Sequence, residues 1–395
     1  MSEARVIEVL PIETTVGGPG VEEWRDLNRR SRSGTMFLGP EWLEPWWKHF
    51  GEGRELATIC VREGGRLIGL LPLFIETVRL AGIQVRRLAF MGDGDTGCDD
   101  LDLLAEPGRE REVIEHCITR LLELPWDVCD LDGLWRESFT ALHLAQRFPP
   151  GTAAGILRDG RVRYVCPYIP LAGTWEQYLE GLGRRENLRR REKWLYRQPG
   201  VSIVCGRTQD EAAKATDEFL LLHRARWSVE GGSDGLVDER HDAFHRDAAQ
   251  RLAQAGMLRM YTLYAARRPV ASVYGVVHGP KFNYYQSGYD PNWACKSVGL
   301  VLLARTVQDA FGEGLKEFDF LRGNEGYKAE WSRGERWTIQ FRLWRGARAR
   351  GARAALGATL FAREAVKAAL PERARGMMRK ARRLLREPFR IMQEP

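Results

Sequence analysis

Long apolar runs are missing from this sequence. The longest, Leu67 to Ile75, is interrupted by Pro72 and falls far short of the roughly 20 residues needed to cross a bilayer, so no membrane span is expected. The segment from Met1 to Leu10 carries Glu3, Arg5 and Glu8 in place of a basic start followed by an apolar stretch. Without that mark of a secretion signal, the expected location is the cytoplasm. Cysteine is sparse and dispersed: seven residues, with no CxxC and no short Cys/His pairing. Structural zinc and a disulfide framework need tighter spacings, so reduced, mostly buried thiols and no metal are expected.

A charge excess is also missing from most of the chain. The formal net charge is +7, yet residues 345–395 alone hold 14 Lys/Arg against 4 Asp/Glu, and the first 344 residues hold 46 against 49. The body is therefore nearly neutral and the tail basic, so the overall charge gives no sign that the folded body binds nucleic acid. What is present is ordinary globular material, with 395 residues, 44% hydrophobic and 29% charged. At roughly 100 to 200 residues per domain, two compact domains are the natural prior.

The clearest pattern is an architectural repeat. In the first half Leu56 to Arg62 reads as a strand, Gly64-Gly65 as a turn, Arg66 to Val78 as a second strand and Val85 to Met91 as a third. An Asp/Gly-rich loop, a helix from Arg109 to Leu124 and a strand from Trp126 to Leu134 follow. The second half repeats the order: strands over Leu258 to Ala265, Val270 to His278 and Lys281 to Ser287, a helix over Val298 to Gly312, and a strand over Leu315 to Leu321. Helices over Val21 to Arg30 and Pro40 to Phe50 precede the first set. Helices over Trp175 to Leu182, Arg184 to Arg197, Asp210 to Trp227 and Asp242 to Gln254 precede the second. The predicted class is α+β with mixed sheets, in domains 1–150 and 151–344 divided at Pro149-Pro150-Gly151, with a basic helical tail over 345–395.

Among local signals, Asp290-Pro291-Asn292-Trp293-Ala294-Cys295-Lys296-Ser297-Val298-Gly299-Leu300 lies between a strand and an apolar helix. Ser297 can cap that helix, Gly299 permits close approach to the backbone, and Lys296 adds positive charge where free N–H groups attract phosphate. A pyrophosphate cradle and an ordinary helix start both fit. Taken with the tandem repeat, the loop resembles the GNAT acyltransferase fold, whose loop reads Gln/Arg-x-x-Gly-x-Gly/Ala; here Lys296 replaces the first residue and Val301 the last.

More specific stretches are Phe219 to Trp227, Tyr284 to Asp290 and Phe318 to Lys328. These look like the GNAT-type CelD/BcsL acetyltransferases, associated with cellulose and other exopolysaccharide biosynthesis, over about Pro40 to Trp344. More distantly the chain is similar to Fem-type peptidyltransferases, which use aminoacyl-tRNA. The resemblance implies an acyl-CoA co-substrate held at Lys296, Ser297, Val298 and Gly299, with its thioester arm where Asn283–Ser287, including Tyr285 and Gln286, splays from Phe318–Leu321. It implies Tyr327 as the acid that protonates the leaving thiolate.

Acyl transfer also needs a base. His223, with a pKa suited to neutral pH, stands four residues before Trp227 on one helix face, near Arg226. It reads either as the base or as a core residue. Asp319 and Glu325 are further candidates, Arg226, Trp227, Arg322 and Lys328 could hold the acceptor, and a structural salt-bridge network is the plain alternative for the charged cluster.

Five other features bear on function. The loop Gly92 to Asp102 fails the calcium test because Gly97 and Leu104 stand at ligand positions; it reads as a turn-rich loop near the interdomain groove. Trp42, Trp46 and Trp47 suit core packing or sugar stacking. The run Arg184 to Leu195 is either a solvated helix face or a site for phosphate or tRNA. Glu230 to Gly235 could close over a substrate or only join helices. In the tail, Met377, Met378, Ala381, Leu384 and Leu385 recur at helical spacing among arginines, a pattern suited to an anionic membrane surface at the inner face.

The expected function is acyl transfer from acetyl-CoA or another acyl-CoA to an amine or hydroxyl of a polysaccharide or cell-envelope precursor. The rivals are a Fem-type, tRNA-dependent transferase and a non-catalytic scaffold for a membrane polysaccharide synthase. Nucleic acid enters only through the tRNA reading.

Overall fold

The computed structural model describes residues 6–9, 20–153, 155–230, 236 and 238–369. The first half contains β1 (Val6–Val9), α1 (Gly20–Arg30), α2 (Pro40–Phe50), β2 (Glu55–Leu56), β3 (Ile59–Glu63), β4 (Arg66–Leu71), β5 (Leu73–Leu80), β6 (Ile83–Phe90), β7 (Leu104–Ala105), α3 (Glu110–Glu123), β8 (Val128–Trp135) and α4 (Phe139–Arg147). The second contains β9 (Gly151–Ala153), β10 (Ile156–Pro170), α5 (Trp175–Gly181), α6 (Arg185–Leu195), β11 (Ser202–Gly206), α7 (Gln209–Glu230), α8 (Glu239–Gln254), β12 (Leu258–Ala265), β13 (Arg268–His278), β14 (Lys281–Tyr289), α9 (Val298–Gly312), β15 (Glu317–Asp319), α10 (Gly326–Trp331), β16 (Gly334–Arg345) and α11 (Gly346–Ala369).

The repeat is present in three dimensions. Strands β12, β13 and β14 are antiparallel neighbours, α9 crosses over, and β15 returns parallel to β14. In the first half β3 pairs with β4, β5 with β6, and after α3 the strand β8 returns parallel to β6. The sequence reading of Arg66 to Val78 as one strand is corrected here. Pro72 has no N–H to give a ladder, and the chain breaks there, so β4 stays in a small sheet ordered β1-β3-β4-β7 while β5 joins the large one. The strand expected over Leu315 to Leu321 is likewise shorter, ending at Asp319.

Two long strands, β10 and β16, were not anticipated. They pair with each other along most of their length, β15 joins β10, and β8 joins β16. One sheet, ordered β11-β12-β13-β14-β15-β10-β16-β8-β6-β5-β2, therefore runs through both halves. The architecture is a mixed α/β, tandem GNAT-like arrangement.

Three apolar clusters hold it together. α7 and α8 pack with α2 and the first-half sheets, with Trp42 ring centroids 5.0 Å from both Phe244 and Tyr285. Trp42 and Trp46 are thus core residues, which leaves only Trp47 partly exposed. On the opposite face of β12–β15, α5, α6 and α9 form a second core around Val301, Leu302 and Trp331. The start of α11 packs Ala349 and Ala352 against Val85, Val128 and Trp344. Among the described residues no helix is long and apolar enough to cross a membrane.

Candidate active site

The parallel pair β14/β15 is in register only over Lys281↔Glu317, Phe282↔Phe318 and Asn283↔Asp319. Beyond it the chain after β15 turns toward β10, with Phe320 N–H donating to Pro167 O (3.0 Å) and Gly323 N–H to Val165 O (3.1 Å). β14 itself continues, paired with β13, to Tyr289. Its partner on the other side, β13, registers Gly275 with Tyr284 and Tyr274 with Gln286, so Tyr285 is the extra residue of a bulge. The result is a crevice at the carboxyl ends of two parallel strands, a usual place for ligands in such sheets.

Tyrosine and carboxylate groups line its mouth. The Tyr284 hydroxyl lies beside Ser287 and Tyr327, close enough for each to influence its ionisation. Burial, Tyr284 and Glu325 together push the Tyr327 hydroxyl well above the usual tyrosine range, so it holds its proton at any working pH. From α7, Arg226 donates to Ser287 Oγ (3.1 Å) and lies over the rings of Trp227 and Tyr289 at 5.1 and 5.3 Å. Glu325, directly before α10, has a side chain 45% exposed and an ion pair to Lys328 at 3.1 Å. Gln286 is half-buried on the same strand.

The loop after β14 leads directly into α9. Ser297 does not cap the helix as expected: it adopts a left-handed conformation (φ 58°), with no cap bond from its side chain, and its Oγ accepts from Arg191. Val298 is buried, whereas Gly299 is exposed and a Cβ added there would meet nothing within 4 Å. The first turn of α9 is thus open to a ligand, with N–H groups and the helix dipole directed at it. Lys296 Nζ lies 4.8 Å from the Trp194 ring on α6, which keeps its charge beside that opening. Trp194 is exposed, while Leu188 and Leu195 are the buried residues of α6.

Several other expected groups are sealed into the structure. His223 is fully buried, with ring centroids of Phe219 and Trp227 at 5.6 and 6.0 Å. Burial, then the charges of Arg226 and Arg224, lower its pKa to about 3, so at neutral pH it is a neutral ring of little use as a base. Asp319 is also fully buried, paired with Lys281 (3.2 Å) and Arg336 (3.1 Å), and it accepts from Leu321 N–H (2.8 Å). Arg322 is clamped to Asp99 (2.9 Å) and lies over Tyr164 at 4.6 Å. Lys328 points inward and donates to Arg322 O (2.6 Å). Gly323 (φ 132°) lets the chain pass, because a Cβ there would strike Glu325 and Lys328. These four groups form the frame of the site. Tyr284, Ser287 and Arg191, which the sequence reading did not single out for chemistry, line it.

The equivalent crevice of the first half is filled. Beyond its pairing with β6, β8 receives the loop Gly92 to Asp102, with Leu101 N–H donating to Gly133 O (3.1 Å). The same loop accepts Tyr285 O–H at Thr96 O (2.6 Å) and binds Arg322 through Cys98 O (2.7 Å), so it plugs one crevice while bracing the other. The start of α3 carries Glu110 and Glu112, with Arg109 bonded to Glu112 and Glu63. An anion has no open start there. Residues 231–235 of the Glu230 to Gly235 loop and the tail helix over Arg375 to Arg386 lie outside the described residues.

Residues 183–329 match the family model described as an acetyltransferase (GNAT) domain. No curated protein matches the chain. FemX, a solved structure, is similar at a TM-score of 0.56 with 10% identity, covering 82% of this chain and 95% of that one. The C-terminal domain of a protein provisionally assigned as a lysylphosphatidylglycerol synthetase, from Agrobacterium fabrum, is similar at 0.50 with 12% identity over 86% and 96%. A conserved protein of unknown function from Bacteroides thetaiotaomicron is similar at 0.51 with 11% identity over 86% and 100%. At such identities the likeness establishes the fold alone.

Proposed function

We propose that the chain is an acyltransferase that takes an acetyl or other acyl group from acyl-CoA and passes it to an amine or hydroxyl of a polysaccharide or cell-envelope precursor. The observation that carries this reading is the splay of β14 from β15 leading straight into the open first turn of α9. Beyond its register with β15, β14 can offer strand N–H and C=O groups to an extended arm that carries amides. The start of α9, with Lys296 and Arg191 beside it, suits a pyrophosphate. Such a donor would supply the activated acyl group.

The proton chemistry falls to the chain's own residues. Tyr327, held protonated by burial, donates to the departing sulfur, and Tyr284 orients that hydroxyl. Glu325, exposed at the mouth, is the base for the incoming amine or hydroxyl. Arg226 and Trp227, fixed through Ser287, form the acceptor side. The role in exopolysaccharide biosynthesis that the CelD/BcsL resemblance implies belongs to this proposal, as does peripheral binding of the basic tail to an anionic membrane at its cytoplasmic face.

The test is release of CoA thiol from acetyl-CoA with amino sugars and short polysaccharides as acceptors. Acceptor-dependent thiol release that Tyr327→Phe reduces supports the reading, and none with any acceptor or acyl chain contradicts it. A second reading, transfer from aminoacyl-tRNA, is favoured by the exposed Arg189 and Arg190 of α6, the helix whose Arg191 reaches Ser297 at the start of α9. It predicts tRNA binding that weakens steeply as salt rises.

A further inference from the structure

A groove of about 390 Å³ lies where α11 crosses the β10/β16 pair, within the roughly 300–1,000 Å³ of small-molecule sites. It stands apart from the proposed active site: Arg161, at the groove, and Tyr168, beside β15, are seven residues apart on an extended strand, roughly 23 Å. The floor is built from alternate positions of paired strands, with Asp159 opposite Arg342 and Arg161 opposite Gln340. α11 adds Arg353, Leu356 and Leu360, above the buried Trp344.

The charges here do not cancel. Arg342 is paired with Asp130 (3.0 Å), which also takes Arg87 (3.3 Å), and Arg353 is paired with Asp159 (2.7 Å). Asp132, whose charge reaches Arg161, is engaged by Arg163 at 2.8 Å. Arg161 Nε bonds a neutral acceptor, Gln340 Oε1 (3.1 Å). A guanidinium stays charged under all working conditions, and burial with the like charges of Arg163 and Arg342 lowers its pKa from the ordinary value. An anion on Arg161 would relieve that crowding.

We propose that this groove binds an anionic amphiphile, with a phosphate or carboxylate head on Arg161 between Arg342 and Arg353 and an aliphatic chain along Leu356 and Leu360. The guanidinium fork matches such heads. The chain's own residues 370–395 are unsuited as occupant, since they carry eight Lys/Arg against three acids and share the sign of the groove. The proposal goes beyond acyl transfer and does not depend on it.

Isothermal titration of the full chain with octyl phosphate or octanoate below micellar concentrations, with inorganic phosphate and octanol as controls, tests it. At least one of the two amphiphiles is expected to bind at least about tenfold tighter than either control. Arg161→Gln, at a position that keeps solvent exposure, is expected to retain the wild-type circular dichroism spectrum and to lower that affinity about tenfold or more. The relative strength of octyl phosphate and octanoate names the head. Absence of binding, equal binding of inorganic phosphate, or undiminished binding to Arg161→Gln, which would place the amphiphile on the tail, overturns the proposal.

Discussion

A side chain's chemistry is set by where the fold leaves it, and His223 and Tyr327 differ on that point. His223 resists protonation down to about 3 in the folded chain, against an ordinary 6.5. Between those values the unfolded chain takes up a proton that the folded chain refuses. Stability attributable to His223 is therefore full above about 6.5 and is lost as pH falls toward 3. At pH 4.5 the loss should reach about 2–3 kcal/mol. Urea midpoints of the wild type and His223→Gln at pH 7.5 and 4.5 should show the variant's deficit shrinking on acidification; an unchanged deficit would mean that His223 titrates normally. Tyr327→Phe should lower turnover by roughly 10²- to 10⁴-fold while leaving donor binding unchanged, as read by steady-state kinetics beside titration calorimetry. The sequence left both readings open, since His223 and Asp319 carry the right chemistry at the right spacing and also suit a core residue and a salt-bridge network. Only the packing of α7 on β14, and of Lys281 and Arg336 on Asp319, removes them from solvent.

At the scale of elements, the strands bounded by Gly64-Gly65, Arg267-Arg268-Pro269 and Gly279-Pro280 were legible because turn residues punctuate regular alternation. β10 was not, since arginines at 158, 161 and 163 interrupt its apolar pattern and their partners, Asp132 and Gln340, lie far away in sequence. β16 alternates Trp337, Ile339, Phe341 and Leu343 with polar residues, and that period-2 signal could have revealed it. Pro72 was likewise a visible marker of the break between β4 and β5. The contact of α7 with β14 depends on Gly288, where an added Cβ would strike the backbone of Leu222 and His223. Gly288→Ala should push the helix off the strand and cost about 1–3 kcal/mol, measured by chemical denaturation. Wild-type stability in that variant would show that the helix yields freely.

The whole molecule is joined by its central sheet and by one clamp. β16 supplies the edge that β8 needs, so a fragment of residues 1–150 leaves β8 without its partner. Such a fragment should fail to give a dispersed amide spectrum. The clamp is Asp99, on the first-half loop, which holds both the backbone and the guanidinium of Arg322. Asp99→Asn leaves the half-buried Arg322 short of its counter-charge and should cost about 1.5–3 kcal/mol. Equal melting of variant and wild type would show that the halves do not rely on it. The tandem repeat itself was legible; that the first crevice is plugged while the second is open was not, because it depends on where Leu101 and Thr96 come to rest.

The central claim is that the second half holds an acyl-CoA donor at the start of α9. Thermal unfolding with and without acetyl-CoA, in the wild type and in Gly299→Glu, tests it most directly. Ligand at 100 times its dissociation constant should add about 2.7 kcal/mol. Gly299 faces open space, so glutamate there should fold normally and set a negative charge in the phosphate's place. The account predicts stabilisation of the wild type that vanishes in the variant. No stabilisation of the wild type, or stabilisation that persists in Gly299→Glu, would contradict it.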